Sequence, residues 1–577
     1  MPGFIGSLGK LSINKKSSNR DELVIDTIKY NQFNIERRTI SKFLDDKLFI
    51  ELDNVIILIE GVILNKAELF QKYSAKNILD LFNILFKKSP EKWMKFLKGS
   101  FSGLIFDKKT EYLTLFTDQI GDKQIYFYIH EKNIIFGTDF WELVDIIKLN
   151  NLPLSPDKQG EYSLLTYGFQ LDNNTLIEEI KKVTAGTSIV CQKGNILKKQ
   201  YHRFTNAPNH TLTTVNIIEK IEVLFTKAVQ RQLDKNEEYS YENFAPLSAG
   251  LDSRMISVFT NKLLNKPIYN ITYSQNGFYD DTVPKKISED FGNHFIYKSL
   301  DNGLSLFQFD EITNITGSAV LNYGPAQVWD FIKNINPSDI GLIHTGMLGD
   351  VVVGTFFLNK KWKQTFELGD GAYSKTLLKG LNKWYRFDQE FKYENQEIFN
   401  FYNRGFNGAN MGSPLVFQQI TESYSPFYDL DFLEFCLTIP PELKWDNKLY
   451  YKWVNTKNKL ALNYPHNGRK INTKLLIPYK DKNYTFQEFL KLGKQKIKRK
   501  LGLLKKSPLS MNPLEYWYEK NSNLRTYMDS YFEENIKFIK NQELKLDCIN
   551  LYKSGCGSEK DQVLSLLAFH KRLNSSI

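Results

Sequence analysis

The sequence predicts an α+β N-terminal domain followed by an α/β domain with helical additions at its C-terminal end. Three observations carry this. The first 200 residues are mostly short β-branched or aromatic runs cut by turn residues. After Thr214, apolar runs of strand length alternate with helical spacing. From about Lys360 onward helical patterns and irregular polar connections dominate.

In the first part, Val55–Ile59, Gly103–Phe106, Tyr112–Phe116, Gln124–Tyr128 and Ile134–Phe136 read as strands, and Lys181–Arg203 as a last hairpin. Windows near Asn65–Tyr73 and Ala75–Phe86 read as helices, so the expectation is a mostly antiparallel sheet with helices packed on it. The apolar run Val55–Leu64 is broken by Glu60 and is too short to cross a bilayer, so it reads as a strand and its turn. A polar stretch with a proline, Thr205–His210, marks the boundary between domains placed at 1–205 and 215–577.

In the second part, Asn216–Gln232 is a helix by apolar spacing. It is followed by a strand Asn243–Ser248, a helix to about Leu264, a strand Pro267–Ser274 and a helix Asp281–Phe291. Strands at Phe295–Leu300 and Asp339–Gly346 and a helix after Asp350 complete a mostly parallel sheet with helices on both faces.

Composition narrows the function class. With 577 residues, 42% hydrophobic and 14% aromatic, the chain has a real core to bury. Its 76 basic and 65 acidic residues give +11, a mild excess that does not by itself mark a nucleic-acid binder. Four cysteines without a CxxC pair exclude a disulfide scaffold and give no zinc signal. The opening MPGFIGSLGK has no positive region followed by an apolar run, and no run of about 18 apolar residues exists, so no signal peptide, no membrane span and a cytoplasmic location are expected. The seven histidines do not cluster. Eight basic residues fall between Lys491 and Lys506, either a solvated helix and loop or a docking patch for RNA, anionic lipid or an acidic peptide. The run has no adjacent aromatic RNA-binding motif, and a nucleic-acid partner is not expected.

One string concentrates the chemistry: Leu247-Ser248-Ala249-Gly250-Leu251-Asp252-Ser253-Arg254, where a strand hands over to a helix. Ala249 and Gly250 let the backbone turn tightly and expose amides. The hydroxyls of Ser248 and Ser253 can donate to an anion, and the helix presents its positive end to the same point. Asp252 is placed to hold a magnesium ion bridging phosphates. The sum is a cradle for pyrophosphate. The plainer alternative is an ordinary serine-capped turn.

This string resembles the pyrophosphate loop of the asparagine synthetase family, LSGGLDS, and the order of the other segments agrees. Asp280-Asp281-Thr282-Val283 stands where the family has an acidic pair. His344–Gly354 is similar to the family's SGEGADELFGG, with Gly346, Asp350 and Gly354 matching. Ser425-Pro426-Phe427-Tyr428-Asp429 resembles VPFLD. The resemblance implies a PP-loop domain, adenine nucleotide α-hydrolase-like, with ATP and Mg2+ as cofactors. It implies that Ser248, Ala249, Gly250, Asp252, Ser253, Thr272 and Gly346 bind the nucleotide and that Asp252 and Asp350 hold the metal. It also implies a lysine facing the departing pyrophosphate. Lys470, in Gly468-Arg469-Lys470, is the candidate. Lys452 is the fallback, since Lys448 and Lys452 resemble remnants of a KxxLR pattern.

The N-terminal part resembles the same family's glutaminase, an Ntn-hydrolase-like sandwich. Gly3, Ile5 and Gly6, then Glu60–Asn65 in place of NGEIYN, Leu97–Phe101 for LxGxF, and Thr117–Tyr126 for RDxxGxKPLY carry the likeness. Its chemistry does not survive. Residue 2 is Pro2, where a thiolate is required. Glu60 replaces the oxyanion asparagine and would repel a developing oxyanion. Val62 and Ala75 replace acidic substrate-holding groups. In the second half Met347 stands where asparagine synthetases carry a glutamate and β-lactam-forming relatives a tyrosine.

The leading expectation is an ATP-dependent ligase that adenylates a small-molecule or peptide carboxylate and forms an amide with ammonia or an amine, without glutamine hydrolysis. A leader peptide or pathway protein is a candidate partner. Three alternatives stay open: a lactam or macrolactam cyclase of the β-lactam synthetase or lasso-peptide type, a decayed nucleotide- or partner-binding scaffold, and an RNA-modifying PP-loop enzyme.

Overall fold

The computed structural model describes residues 2–11, 13, 23–360, 362, 365–387, 392–466, 476–479, 482–485 and 510–575. In the N-terminal part the strands are β1 (Gly3–Leu8), β2 (Leu23–Tyr30), β3 (Phe33–Ile40), β4 (Leu48–Glu51), β5 (Val55–Ile63) and β6 (Gly99–Asp107). Then come β7 (Leu113–Thr117), β8 (Tyr126–His130), β9 (Asn133–Gly137), β10 (Ile180–Lys182), β11 (Thr187–Gln192) and β12 (Asn195–Gln200). They form two six-stranded antiparallel sheets, ordered β10-β8-β9-β1-β3-β2 and β12-β11-β7-β6-β5-β4.

Side-chain alternation makes these sheets a layered sandwich. Phe4, Phe33, Ile35, Ile134 and Phe136 of the first sheet pack against Ile56, Leu58, Leu104 and Phe106 of the second. Phe33 stacks on Phe106 with ring centroids 4.3 Å apart. The intervening residues Ile57, Ile59 and Ile105 point outward onto helices Lys66–Tyr73 and Ile78–Lys88. On the other outer face Ile5, Tyr126 and Ile135 meet helices Phe140–Leu149 and Lys158–Tyr167, which the sequence reading did not anticipate.

Two further expectations change. Strand β5 runs through Glu60 to Ile63, because Gly61 (φ 122°) lets β6 approach: a Cβ there would lie 2.1 Å from the Ser100 carbonyl oxygen. The final hairpin is β11–β12, whereas Ile180–Lys182 joins the other sheet.

Residues 201–213 carry no helix or strand and lead into helix Thr214–Glu238. The second sheet system is parallel: β13 (Glu242–Pro246), β14 (Tyr269–Ser274), β15 (His294–Ser299), β16 (Ile340–His344) and β17 (Ser423–Tyr424), in the order β15-β14-β13-β16-β17. Ala245 and Leu342 face helices Thr214–Glu238 and Leu251–Leu263, while Phe244 and Ile343 face Val328, Phe331 and Phe417 on the opposite side. The chain runs outward from β13 to β15 and returns to β16 on the other flank. The loops leaving β13 and β16 therefore diverge over a crevice at the carboxyl ends of the strands, the usual place for a ligand in such sheets.

The C-terminal helices Ser522–Asn535, Gln542–Ser554 and Gly557–Asn574 pack on the N-terminal domain. Val563, Leu564 and Leu567 share one core with Leu164 and Leu165. Buried ion pairs also join the two parts. Lys235 Nζ lies 2.9 Å from Asp46 Oδ2, and Lys123 Nζ lies 2.8 Å from Glu422 Oε2.

Candidate functional site

Strand β13 ends at Pro246, and Gly250 caps helix Leu251–Leu263 in an extended conformation (φ −68°, ψ 164°). Between them the chain folds on itself. The Ser248 N–H donates to Ser253 Oγ at 3.0 Å, the Gly250 N–H donates to Ser248 Oγ at 3.1 Å, and the two hydroxyl oxygens are 2.9 Å apart. Thr272 Oγ1 donates to the Leu247 carbonyl at 2.7 Å, so Thr272 braces the loop from β14.

Ala249 is a correction. It is buried, its N–H is taken by Asp280, and its carbonyl accepts from Arg254 at 2.9 Å, so its amide is not presented to a phosphate. Arg254 itself is fully buried. It donates to the carbonyls of Ala461 (2.7 Å), Tyr464 (3.0 Å) and Pro465 (2.8 Å) as well, and burial pulls it down to about 10.

The loop after β16 closes on this turn. A Cβ on Gly346 would sit 2.7 Å from the Ser253 nitrogen, and one on Gly349 would sit 2.6 Å from Asp252 Cγ. Glycine is needed at both positions for close approach. The approach lets the Asp350 N–H donate to Asp252 Oδ2 at 3.0 Å. Asp252 Oδ1 is buried without a hydrogen-bond partner. Burial and the adjacent Asp350 push the Asp252 carboxyl up to about 8, and burial raises Asp350 as well, against the opposing pull of Arg404.

Once ionised, the Asp252 carboxyl offers an acceptor-only oxygen with no protein donor beside a second carboxylate, which fits a divalent cation. Among the described residues no cluster of three or more His, Cys, Asp or Glu suits a metal. A cation held by these two carboxylates would complete its shell from water and phosphate, as Mg2+ commonly does.

Both loops open onto a cavity of about 610 Å³, lined by Ser248, Gly250, Asp252, Ser253, Thr272, Gly346 and Asp350 of the sequence-predicted set. Met347, Tyr450, Tyr451 and His466 also line it, and the sequence reading gave the last three no role. Their aromatic character alone is no signal, since tyrosines are scattered along the chain. Lys452 is a second correction. It is exposed on helix Lys448–Lys457 and absent from the cavity wall, because the helical turn that brings Tyr450 and Tyr451 to the cavity carries the next residue away. Lys470 and the basic run 491–506 lie outside the described residues.

At the N-terminal edge, register Gly3↔Arg38 places Pro2 next to Thr39. The Thr39 hydroxyl donates to Glu60, and Lys47 Nζ lies 3.1 Å from Glu60 Oε1 with both side chains buried. Val62 is fully buried in the core shared with Phe43 and Ile120.

Among the described residues no helix is long and apolar enough to cross a membrane. Residues 48–202 match the glutamine amidotransferase domain family, so the N-terminal sandwich is glutamine-amidotransferase-like. No curated protein matches the chain. Among solved structures, glutamine phosphoribosylpyrophosphate amidotransferase from B. subtilis, complexed with ADP and GMP, is 7% identical over 51% of this chain, with a TM-score of 0.22. A structure described as the allosteric regulatory enzyme of purine biosynthesis is 8% identical over 52% of this chain, with a TM-score of 0.23. Each match spans 59% of the other protein's length.

Proposed function

We propose that the C-terminal part is an asparagine-synthetase-like, PP-loop ligase that uses ATP to join a carboxylate to a nitrogen nucleophile. The observation that carries this reading is the unpartnered Asp252 Oδ1, held beside Asp350 at the mouth of the cavity. A buried carboxylate without a donor is costly, and such a group makes sense where a ligand supplies the missing partner.

In this reading Asp252 and Asp350 hold Mg2+, which when bound neutralises phosphate charge. Ser248, Gly250 and Ser253 give up their mutual hydrogen bonds to orient the phosphates. The substrate carboxylate attacks the α-phosphorus, the bond to the β-phosphate breaks, and pyrophosphate leaves. Lys470 follows the cavity residue His466 by four positions, within about 14 Å along an extended chain, and is the cation proposed to meet that pyrophosphate. The amine then displaces AMP. The chain's contribution is positioning and charge compensation.

The nitrogen comes from ammonia or an amine, on a second substrate or on the same one as in a lactam-forming reaction. Pro2 has no nucleophilic side chain, and the Glu60–Lys47 pair occupies the edge where an oxyanion would form.

The test is an ATP–pyrophosphate exchange screen over carboxylates, peptides included. Exchange that depends on one carboxylate supports the ligase. A second reading, a nucleotide- or partner-binding scaffold without chemistry, is favoured by Met347, which can neither accept a proton nor bind ammonium. MgATP binding without any exchange would select it, and absence of both would sink the ligase.

A further inference from the structure

Of the side chains that line the cavity, two carry a buried oxygen that completes no hydrogen bond: Asp252 Oδ1 and Tyr450 Oη. Tyr450 is 1% exposed. It sits on helix Lys448–Lys457, its ring stacked on Trp453 (centroids 5.7 Å apart, 22° between planes) and edge-on to Phe427 (6.4 Å, 69°). The ring is therefore fixed from both sides by core aromatics, on a residue that lines the cavity. The phenol leans on the Asp252 carboxyl in an imperfect hydrogen bond that shifts the protonation of both groups, yet the contact falls short of normal hydrogen-bond geometry.

The two orphans differ in kind. Once ionised, Asp252 Oδ1 only accepts, so it asks for a cation or a donor. A phenol satisfies itself best by donating, so Tyr450 asks for an acceptor. A ligand that presents a cation and an anionic oxygen side by side answers both at once, and a metal-bound polyphosphate is such a ligand.

We propose that Tyr450 is a ligand-binding residue of this site, its hydroxyl donating to an anionic oxygen of a metal-bound polyphosphate whose cation is held by Asp252. This rests on the ligase reading and adds to it a residue that the motif does not contain. Hydrogen bonds to charged groups outweigh neutral ones, so losing this donor costs affinity for the charged ligand. In the ligand-free protein the same hydroxyl is buried and makes no well-formed hydrogen bond, so removing it costs little stability.

Tyr428 supplies the matched control. Its hydroxyl is also buried without a partner, but it lies in the domain core and not on the cavity wall. The experiment compares Tyr450→Phe, Tyr428→Phe and the unaltered protein by thermal unfolding without ligand and by calorimetric titration with MgATP. The expected result is that Tyr450→Phe unfolds at the same or a higher temperature and binds MgATP at least about tenfold more weakly. Tyr428→Phe should keep MgATP affinity. Unchanged MgATP affinity in Tyr450→Phe overturns the assignment while leaving the ligase reading in place. A lowered unfolding temperature would mark the hydroxyl as structural and overturn it as well. Absence of MgATP binding by the unaltered protein overturns both.

Discussion

The backbone N–H of Asp350 donates to Oδ2 of Asp252 at 3.0 Å, fastening the loop after β16 to the first turn of the helix after β13. The two residues are 98 positions apart. Strands β13 and β16 are neighbours on opposite sides of the point where the strand order reverses, and that adjacency creates the contact.

Gly349 is the hinge of this contact. A methyl group there would meet Asp252 Cγ at 2.6 Å and Phe427 Cε2 at 2.7 Å. Gly349→Ala should destabilise the fold by about 1–3 kcal/mol through overpacking and weaken MgATP binding by separating the two carboxylates. Thermal unfolding and calorimetric titration read the two effects. Unimpaired binding would show that the loops tolerate separation.

Arg254 organises the other wall. Its guanidinium satisfies the carbonyls of Ala249, Ala461, Tyr464 and Pro465, so it ties the Ser248–Ser253 turn to the segment that carries His466. Arg254→Met keeps the stem and abandons these acceptors, each costing on the order of 1–3 kcal/mol if left buried and dry. Chemical denaturation should show a loss of at least about 3 kcal/mol, with Arg254→Lys recovering part. A loss below about 1 kcal/mol would mean that water replaces the guanidinium.

His344 gives the stability a pH dependence of definite sign. It is buried at the end of β16, with ring nitrogens 2.9 Å from Gln232 Oε1 and 2.8 Å from Asn243 Oδ1, and burial pushes it down to about 3 from 6.5. The unfolded chain binds the extra proton first, so this contribution is fully present above pH 6.5 and is lost as the pH falls towards 3. Urea midpoints should fall through the acid side of that window, and His344→Gln should flatten the slope. An identical slope in the variant would assign it to other groups.

If Glu60 takes the place of the family's oxyanion asparagine, as proposed, the N-terminal domain should not hydrolyse glutamine and Pro2→Cys should not restore turnover, because Glu60 remains paired with Lys47. Glu60→Gln leaves the buried Lys47 without its carboxylate and should destabilise by about 3–5 kcal/mol. Ammonia release from glutamine and denaturation midpoints check the two statements. Steady turnover by the unaltered protein would reverse the reading of this domain.

Much of the architecture was legible because its signals are local. Short β-branched and aromatic runs cut by turn residues mark β5 through β9, and helical spacing marks Thr214–Glu238. Helices Phe140–Leu149 and Lys158–Tyr167 escaped because both are buried on most faces and carry no clean polar stripe. The tight turn Ser248–Ser253 was legible, since small residues and hydroxyls in one contiguous stretch specify it. Lys452 was misplaced because a residue type at a spacing says nothing about which way its helix faces.

The sequence alone determined that an antiparallel sheet domain precedes a parallel one, that residue 2 is a proline, and that a tight turn of small and hydroxyl residues follows β13. Each of these is a property of consecutive residues. Only the tertiary structure decided that Asp252 and Asp350 touch, that the Ala249 amide is already spent on Asp280, and that Tyr450 lines the cavity. These depend on strand order and on the rotation of packed helices. Both follow from how distant apolar faces bury one another, and no local pattern records that.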